Sequence, residues 1–155
     1  MKIYISYFYQ VRFFTRNMLP VSTAMWDPKW YFKHIDANGI VNGLRAEMFV
    51  MPQNYIKNLE ELGQMCRKDC PLKVPCLFMK DYRKYLDTLD FNQVYQYLEN
   101  ILAKYSYADT IVLMVHEKDT IPCAERPVIQ EWFKDHGIEL KEWYPKKVNK
   151  ITNLF

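Results

Sequence analysis

The sequence predicts an α/β fold: a layered, mostly parallel sheet flanked by helices on both sides, with a Rossmann-like architecture. Residues 110–115, TIVLMV, form a continuous apolar run, which is typical of a strand covered on both faces of a parallel sheet. A loop, an amphipathic helix and a strand-like segment follow this run, and that order indicates a βαβ unit. At 155 residues the chain is expected to form a single α/β domain.

The N-terminal part predicts two strands. Residues 2–8, KIYISYF, alternate between apolar and other side chains, which favours a first strand. Residues 19–25, LPVSTAM, indicate a second strand, and the segment between the two is short for a crossover helix. Residues 39–52 stay open between strand and loop, and residues 69–80 are not placed.

Helix signals mark the rest of the chain. Apolar residues recur at helical spacing over 53–68, and a helical segment is expected over about 81–86. Asp90 suits the N-cap of a helix from 91 to about 104, with Gln93 three residues later as in a capping box. Pro127 suits the first turn of a helix that ends near Gly137, and residues 138–143 predict a further strand.

Composition limits the class of protein. Half of the residues are apolar and a quarter are charged, which is an ordinary folded composition. The net charge of +3 is smaller than that of a dedicated nucleic-acid binder. No apolar run approaches the roughly 20 residues that span a bilayer, so no membrane segment is expected. No export signal is visible, so the four cysteines are expected to remain thiols and the location to be cytoplasmic.

The loop after residues 110–115 gathers reactive side chains: His116, Glu117, Lys118, Cys123 and Arg126. Ligands of open α/β sheets bind beyond the carboxyl ends of the strands, where a loop enters a helix. The helix N-terminus and the guanidinium of Arg126 favour an anion such as phosphate or carboxylate. The alternative is that Arg126 pairs with Glu117 or Glu125 and only holds the loop in place.

Three of these residues are the candidates for chemistry. Cys123 lies beside a helix start and an arginine, both of which favour a thiolate nucleophile, and the alternative is a buried, inert thiol. Glu117 or His116 would transfer protons. Cys66, Cys70 and Cys76 lack the paired spacing of zinc sites, so no metal and no cofactor are expected.

A second group of ligand-binding candidates lies at or after the ends of the first two predicted strands. If these strands run parallel to residues 110–115, their loops reach the same edge of the sheet. Trp26 and Trp30 would then stack on a base while Lys29 meets a phosphate, although both rings could instead anchor a loop to the core. The remaining members of the group are Arg12, Ser22 and Thr23.

Over nearly its whole length the chain resembles the YeaO-like family, the domain of unknown function four-eighty-eight. The resemblance is carried by ISYF, LPVSTAMWDPKW, FVMPQNYI, DYRKYLD, IVLMVHEKD, VIQEWF and GIELKEW. Glu117, Lys118, Cys123 and Arg126 match the C-terminal signature of the family. Val115 replaces a common cysteine, and Cys-Ala-Glu-Arg replaces Cys-His-Arg. The resemblance implies an α/β fold and a site at this loop, but no particular reaction.

Together these observations predict a protein that binds a phosphate-bearing ligand, a nucleotide or a nucleic-acid segment, at the loop between 110–115 and 127–136, with enzymatic activity left open. Two alternatives remain. One is a non-catalytic module whose exposed aromatic side chains meet a protein partner, and the other is a thiol or redox sensor that uses Cys123.

Overall fold

The computed structural model describes residues 1–52, 77–120 and 124–146. Its strands are β1 (Lys2–Tyr7), β2 (Met18–Ser22), β3 (His34–Ile35), β4 (Val41–Asn42), β5 (Thr110–Val115) and β6 (Lys141–Glu142). Its α-helices are α1 (Leu77–Asp87), α2 (Phe91–Ala103) and α3 (Glu125–Asp135), and two 3₁₀ helices cover Phe8–Phe13 and Glu47–Phe49. Four strands form a parallel sheet in the order β2-β5-β1-β6, so the α/β class is confirmed.

Strand β5 is the central element of the sheet. All six of its residues are buried, as its unbroken apolar pattern predicts. It pairs with β1 along its entire length, from Lys2 opposite Thr110 to Tyr7 opposite Val115. On its other side it pairs with β2, from Met18 opposite Thr110 to Ser22 opposite Met114. Strands β1, β2 and β5 therefore begin at the same level of the sheet and end within one residue of each other.

The two faces of the sheet are covered differently. The side chains of α1, α2 and α3 that are buried in a common core pack with Ile5, Leu19 and Leu113 on one face. The other face, with Val112 and Met114, is covered by the 3₁₀ helix Phe8–Phe13 and by the side chains of Phe14, Tyr31 and Ile40. All α-helices of the described residues thus lie on one face, where helices on both were expected. The reason is the short connection between β1 and β2, which leaves no room for an α-helical crossover.

Two helix boundaries test the sequence signals. Asp90 caps α2, because its Oδ1 accepts a hydrogen bond of 3.2 Å from the backbone N–H of Gln93, as expected. Helix α3 begins at Glu125, two residues before Pro127, so Arg126 is helical although a following proline disfavours that conformation. Pro127 still lies in the first turn, where its missing N–H leaves no hydrogen bond unmade.

The strand limits are narrower than the sequence pattern. The second strand ends at Ser22 instead of residue 25, because the chain turns there and Ser22 Oγ donates to Asp27 at 2.5 Å. The last strand keeps only Lys141–Glu142 of the expected 138–143, because its first residues complete the end of α3. There Gly137, at φ 84°, lets the N–H of Ile138 bond to the carbonyl of Phe133 at 3.0 Å. The helix expected over 53–68 lies outside the described residues.

Gly43 and Gly137 offer a matched test of packing, since both have φ near +85° (88° and 84°). A Cβ at Gly43 would lie 2.6 Å from the backbone of Lys33, whereas nothing lies within 4 Å of a Cβ at Gly137. Gly137→Ala should cost about 1–2 kcal/mol for the left-handed backbone alone. Gly43→Ala should cost about 1–3 kcal/mol more, because the segment at Lys33 must move. Urea unfolding of both variants measures the difference, and equal losses would contradict this close approach.

Candidate functional site

The loops after β1, β2 and β5 meet at the carboxyl edge of the sheet, as the parallel pairing requires. Thr23 Oγ1 donates to the carbonyl oxygen of Met114 at 2.9 Å, which joins the end of β2 to β5. One residue beyond β5, the Nε2–H of His116 donates to the backbone carbonyl of Trp26. The predicted convergence of residues 22–26 with residue 116 at one edge is therefore present.

Partly buried hydrogen bonds and an ion pair hold the loop that follows β2. Asp27 accepts from the Ser22 hydroxyl and forms an ion pair with Arg45. Arg45 also donates to Glu47 Oε1 at 2.8 Å and to the Ala24 carbonyl at 2.5 Å. Because Ser22 and Thr23 are buried and hydrogen-bonded internally, their hydroxyls fix the loop instead of facing solvent. Arg45 was not predicted as a site residue, because its only local signal in the sequence is the carboxylate two residues away at Glu47.

Four other predicted residues face solvent at or near this edge. The side chain of Trp26 is 76% exposed and that of Trp30 is 45% exposed. Lys29 and Lys118 are also exposed. Trp30 packs edge-on against Phe8, with 6.1 Å between the ring centroids, and the Phe8 ring lies 5.0 Å from that of His116. Both tryptophans are thus attached to the edge while leaving ring surface open.

Arg12 lies on the 3₁₀ helix that follows β1. Its guanidinium carbon lies 3.8 Å from the centroid of the Tyr9 ring, and its Nε donates to the Tyr9 carbonyl at 3.1 Å. Tyr9 in turn stacks on Tyr7, the last residue of β1, at 6.3 Å. Arg12 is exposed, so its positive charge stays available to an anion beside the carboxyl end of β1.

Arg126 points inward. It is 3% exposed, and its Nε donates to Glu142 Oε2 at 2.7 Å. Its Nη2 donates to the backbone carbonyl of Glu117 at 2.5 Å. Internal pairing was the alternative raised by the sequence, although the partner is Glu142 on β6 instead of the carboxylate of Glu117 or Glu125. In this arrangement the guanidinium ties α3 to β6 and to the loop after β5, and it does not face solvent.

The corner around Arg126 concentrates buried polar atoms. Of the seven buried side-chain polar atoms without a hydrogen-bond partner in the described residues, three lie at this corner: Glu117 Oε2, Arg126 Nη1 and Glu142 Oε1. The pKa of Glu142 is raised to about 7, because burial outweighs the attraction of Arg126. The pKa of Glu125 is also raised to about 7, by burial and by the charge of Glu117. Two carboxyl groups that titrate near neutral pH can donate or accept protons.

The predictions for the four cysteines fall outside the described residues. Cys123 falls in residues 121–123, and Cys66, Cys70 and Cys76 fall in 53–76, all outside the described residues. Among the residues that are described, no three His, Cys, Asp or Glu side chains are grouped so that they could hold a metal ion. A groove of about 620 Å³ between α3 and β6 lies at the opposite end of the sheet, lined by residues such as Gln130, Lys134 and Leu140. It contains none of the predicted site residues.

Comparisons of the chain with models of protein families, with curated proteins and with solved structures found no match. The resemblance to the YeaO-like family therefore stays a prediction.

None of the helices in the described ranges is both long and apolar enough to span a bilayer.

At pH 8, where Glu142 is ionised, its hydrogen-bonded ion pair with Arg126 is expected to offset the burial of both charges. Both side chains are less than a tenth exposed, at 3% and 9%. Glu142→Ala should lower the free energy of unfolding by about 3–5 kcal/mol, because it leaves a buried guanidinium unpaired. The double variant Arg126→Met with Glu142→Leu should recover most of that loss. Urea titrations of the single and double variants measure both values, and additive losses would contradict a coupled pair.

The stability of the protein should fall as the pH rises from about 5 to 8. Folding raises the pKa of Glu125 and of Glu142 to about 7, so the folded state holds these protons more tightly than the unfolded chain. This stabilisation is fully present below the pKa that the two glutamates have in the unfolded chain. It is lost as the pH rises through their pKa of about 7 in the folded protein. Melting temperatures across this range measure the slope.

Glu125→Gln should flatten the pH slope, because glutamine keeps the shape of the protonated acid without titrating. Glu131→Gln, an exposed change on the same helix, serves as the control and should leave the slope unchanged. A wild-type stability that rises over this range would contradict the raised pKa values.

Proposed function

We propose that the carboxyl edge of the sheet binds a phosphate-bearing ligand with an aromatic base, a nucleotide or a nucleic-acid segment. The observation that supports this most directly is the exposure of Trp26, at 76%, with the exposed cation of Lys29 three residues further along the chain. An exposed tryptophan leaves a large apolar surface in water, and bases stack on such rings. Parallel sheets bind their ligands at this edge.

The backbone of Trp26 is fixed while its ring is free. Its carbonyl accepts the hydrogen bond from His116, and the neighbouring Asp27 is held by Arg45 and Ser22. Among the described residues no other aromatic ring contacts the Trp26 ring. A ring held on a rigid backbone loses little conformational entropy when a ligand stacks on it, which favours binding.

The anion contacts in this proposal come from exposed cations. Lys29, Lys118 and Arg12 are exposed, whereas Arg126 neutralises Glu142 in the interior. The role of Arg126 in the proposal is therefore to hold the loop after β5 against α3. The phosphate contacts in the proposal are therefore Lys29 and Lys118, which attract it as point charges, and Arg12, whose guanidinium can donate two parallel hydrogen bonds.

An enzymatic step at this edge would use the titratable side chains in and next to the loop after β5. Glu117 and His116 were the predicted proton-transfer residues, and Glu125 joins them because its pKa is raised to about 7. Cys123 remains the predicted nucleophile, four residues after Asp119 on the same loop. A Rossmann-like architecture and a cytoplasmic location belong to the same proposal, supported by the parallel sheet and by the four cysteines.

A protein-interaction module is the second candidate function, because further large apolar side chains are exposed beside Trp26. Met25 is 45% exposed, Phe32 is 61% exposed and Ile35 is 67% exposed. A protein partner would bury these residues together. A thiol-sensing role for Cys123 stays a prediction that faster alkylation of this cysteine than of the other three would support.

A nucleotide should raise the melting temperature of the protein. With a nucleoside triphosphate at about 100 times its dissociation constant, the stabilisation should be about 2.7 kcal/mol. Trp26→Ala and Lys29→Ala should each reduce the shift, because they remove the stacking surface and the nearby charge. Differential scanning fluorimetry of each variant with and without the nucleotide measures the shift.

Lys134→Ala is the matched control, since Lys134 is an exposed lysine near the opposite end of the sheet. It should keep the full shift. Inorganic phosphate at the same concentration separates simple anion binding from base stacking. No shift with any nucleotide, together with a stable complex in a pull-down, would support the protein-interaction function instead.

A further inference from the structure

We infer that the ligand is a single strand of nucleic acid, spanning several nucleotides, and not a free nucleotide. The inference rests on the proposed function and names the class of its ligand. It is carried by an extended surface, called here the aromatic–basic face, which consists of Tyr9, Trp26, Lys29, Trp30, Phe32 and Lys33. Every one of these residues is exposed.

The aromatic–basic face offers more stacking positions than one base can occupy. Its four rings are between 45% and 76% exposed. Their ring contacts are with other neighbours: Tyr9 with Tyr7 and Phe13, Trp30 with Phe8 and Tyr31, and Phe32 with His34. Within the described residues no ring contact joins any two of the four. Trp26, Trp30 and Phe32 are therefore separate platforms that successive bases of a strand can each meet, whereas Arg12 already covers one face of the Tyr9 ring at 3.8 Å.

The charge of this part of the chain matches a phosphate backbone. Residues 8–35 carry the cations Arg12, Lys29 and Lys33 against the single carboxylate of Asp27, while their fourth cation, Arg16, lies over the Tyr107 ring before the start of β5 and takes no part in this face. That carboxylate is already neutralised by its ion pair with Arg45. Lys29 and Lys33 alternate along the chain with Trp26, Trp30 and Phe32, so a cation lies near each group of rings. Such interleaving of rings and cations is typical of single-strand binding surfaces, which hold bases by stacking and the backbone by charge.

The backbone under the face is rigid. The hydroxyl oxygen of Tyr31 lies 2.7 Å from the carbonyl oxygen of Pro20 and 2.8 Å from that of Leu44, so its single proton is shared between them and holds the chain between Trp30 and Phe32. Gly43 lets the backbone of Lys33 approach closely, with only 2.6 Å left for a Cβ. His34 stacks on one side of the Phe32 ring, at 4.1 Å and 24°. The backbone that carries these rings is thus held in place, which lowers the entropy cost of ordering a strand.

A strand is favoured over two other anionic partners. A duplex hides its bases in the stack, so exposed rings gain nothing from it beyond charge. A membrane surface is usually bound by an amphipathic helix with an aliphatic face. The residues of this face lie in loops and a short 3₁₀ helix, and they are mainly aromatic.

The test compares oligothymidylate of about 15 nucleotides with thymidine monophosphate and with a duplex of the same length, using quenching of tryptophan fluorescence. The strand should bind at least about tenfold more tightly than the mononucleotide or the duplex. Its affinity should fall with salt, with a slope near −0.7 per phosphate contact. Trp26→Ala and Phe32→Ala should weaken strand binding about tenfold each, and Lys33→Ala should lower the salt slope by about one contact.

Lys134→Ala should leave strand affinity and salt slope unchanged, and Phe32→Tyr, which retains a ring, should keep most of the affinity. Melting curves of each variant confirm that it is folded. Equal affinity for the strand and the mononucleotide would overturn the strand inference and leave the proposed function standing. Equal affinity for the duplex would also overturn it. Binding to vesicles of anionic phospholipid, without binding to any nucleotide or strand, would overturn both proposals.

Discussion

The rest of the structure depends on the burial of β5 between β1 and β2. All six residues of β5 are covered on both faces, so this strand must lie inside the sheet and pair on both edges. The parallel register that results brings the ends of three strands to one edge. His116, Trp26 and Tyr7 are far apart in sequence, yet they follow or end strands that stop at the same level. These three residues therefore reach the same edge because β5 is buried between β1 and β2, and not because of a local sequence motif.

The charged side chains near this edge divide between the protein interior and the solvent-exposed surface. Arg126 is used in the interior, where it offsets Glu142 and holds the carbonyl of Glu117. Three glutamates, Glu117, Glu125 and Glu142, therefore lie around one guanidinium, and burial raises the pKa of two of them. The cations that remain exposed, including Lys29 and Lys118, lie on the solvent side. Near this edge the buried carboxyl groups of Glu125 and Glu142 hold protons near neutral pH, while the cations of Lys29 and Lys118 remain exposed.

The aromatic content of the chain divides between two roles. Trp132, Tyr31 and Phe49 are almost fully buried and fill the core on either face of the sheet. Trp26, Trp30, Phe32 and Tyr9 are exposed, and their backbone is held by hydrogen bonds and close packing instead of by burial of their rings. Exposed aromatic surface costs solvation free energy, so a ligand that covers it gains that energy on binding. The proposed functions start from this difference.

Local and periodic signals in the sequence determined the elements of the fold. The apolar run of β5, the capping residue Asp90 and the helix-ending Gly137 act through near neighbours, so the sequence alone predicts them. The sequence also placed His116 and Trp26 at one edge, because parallel strands require it. Only the tertiary structure decided which way Arg126 faces. Its partner Glu142 lies 16 residues further along the chain, on β6, which is separated from β5 in the sheet by β1. Pairing between distant residues depends on packing, which no local pattern encodes.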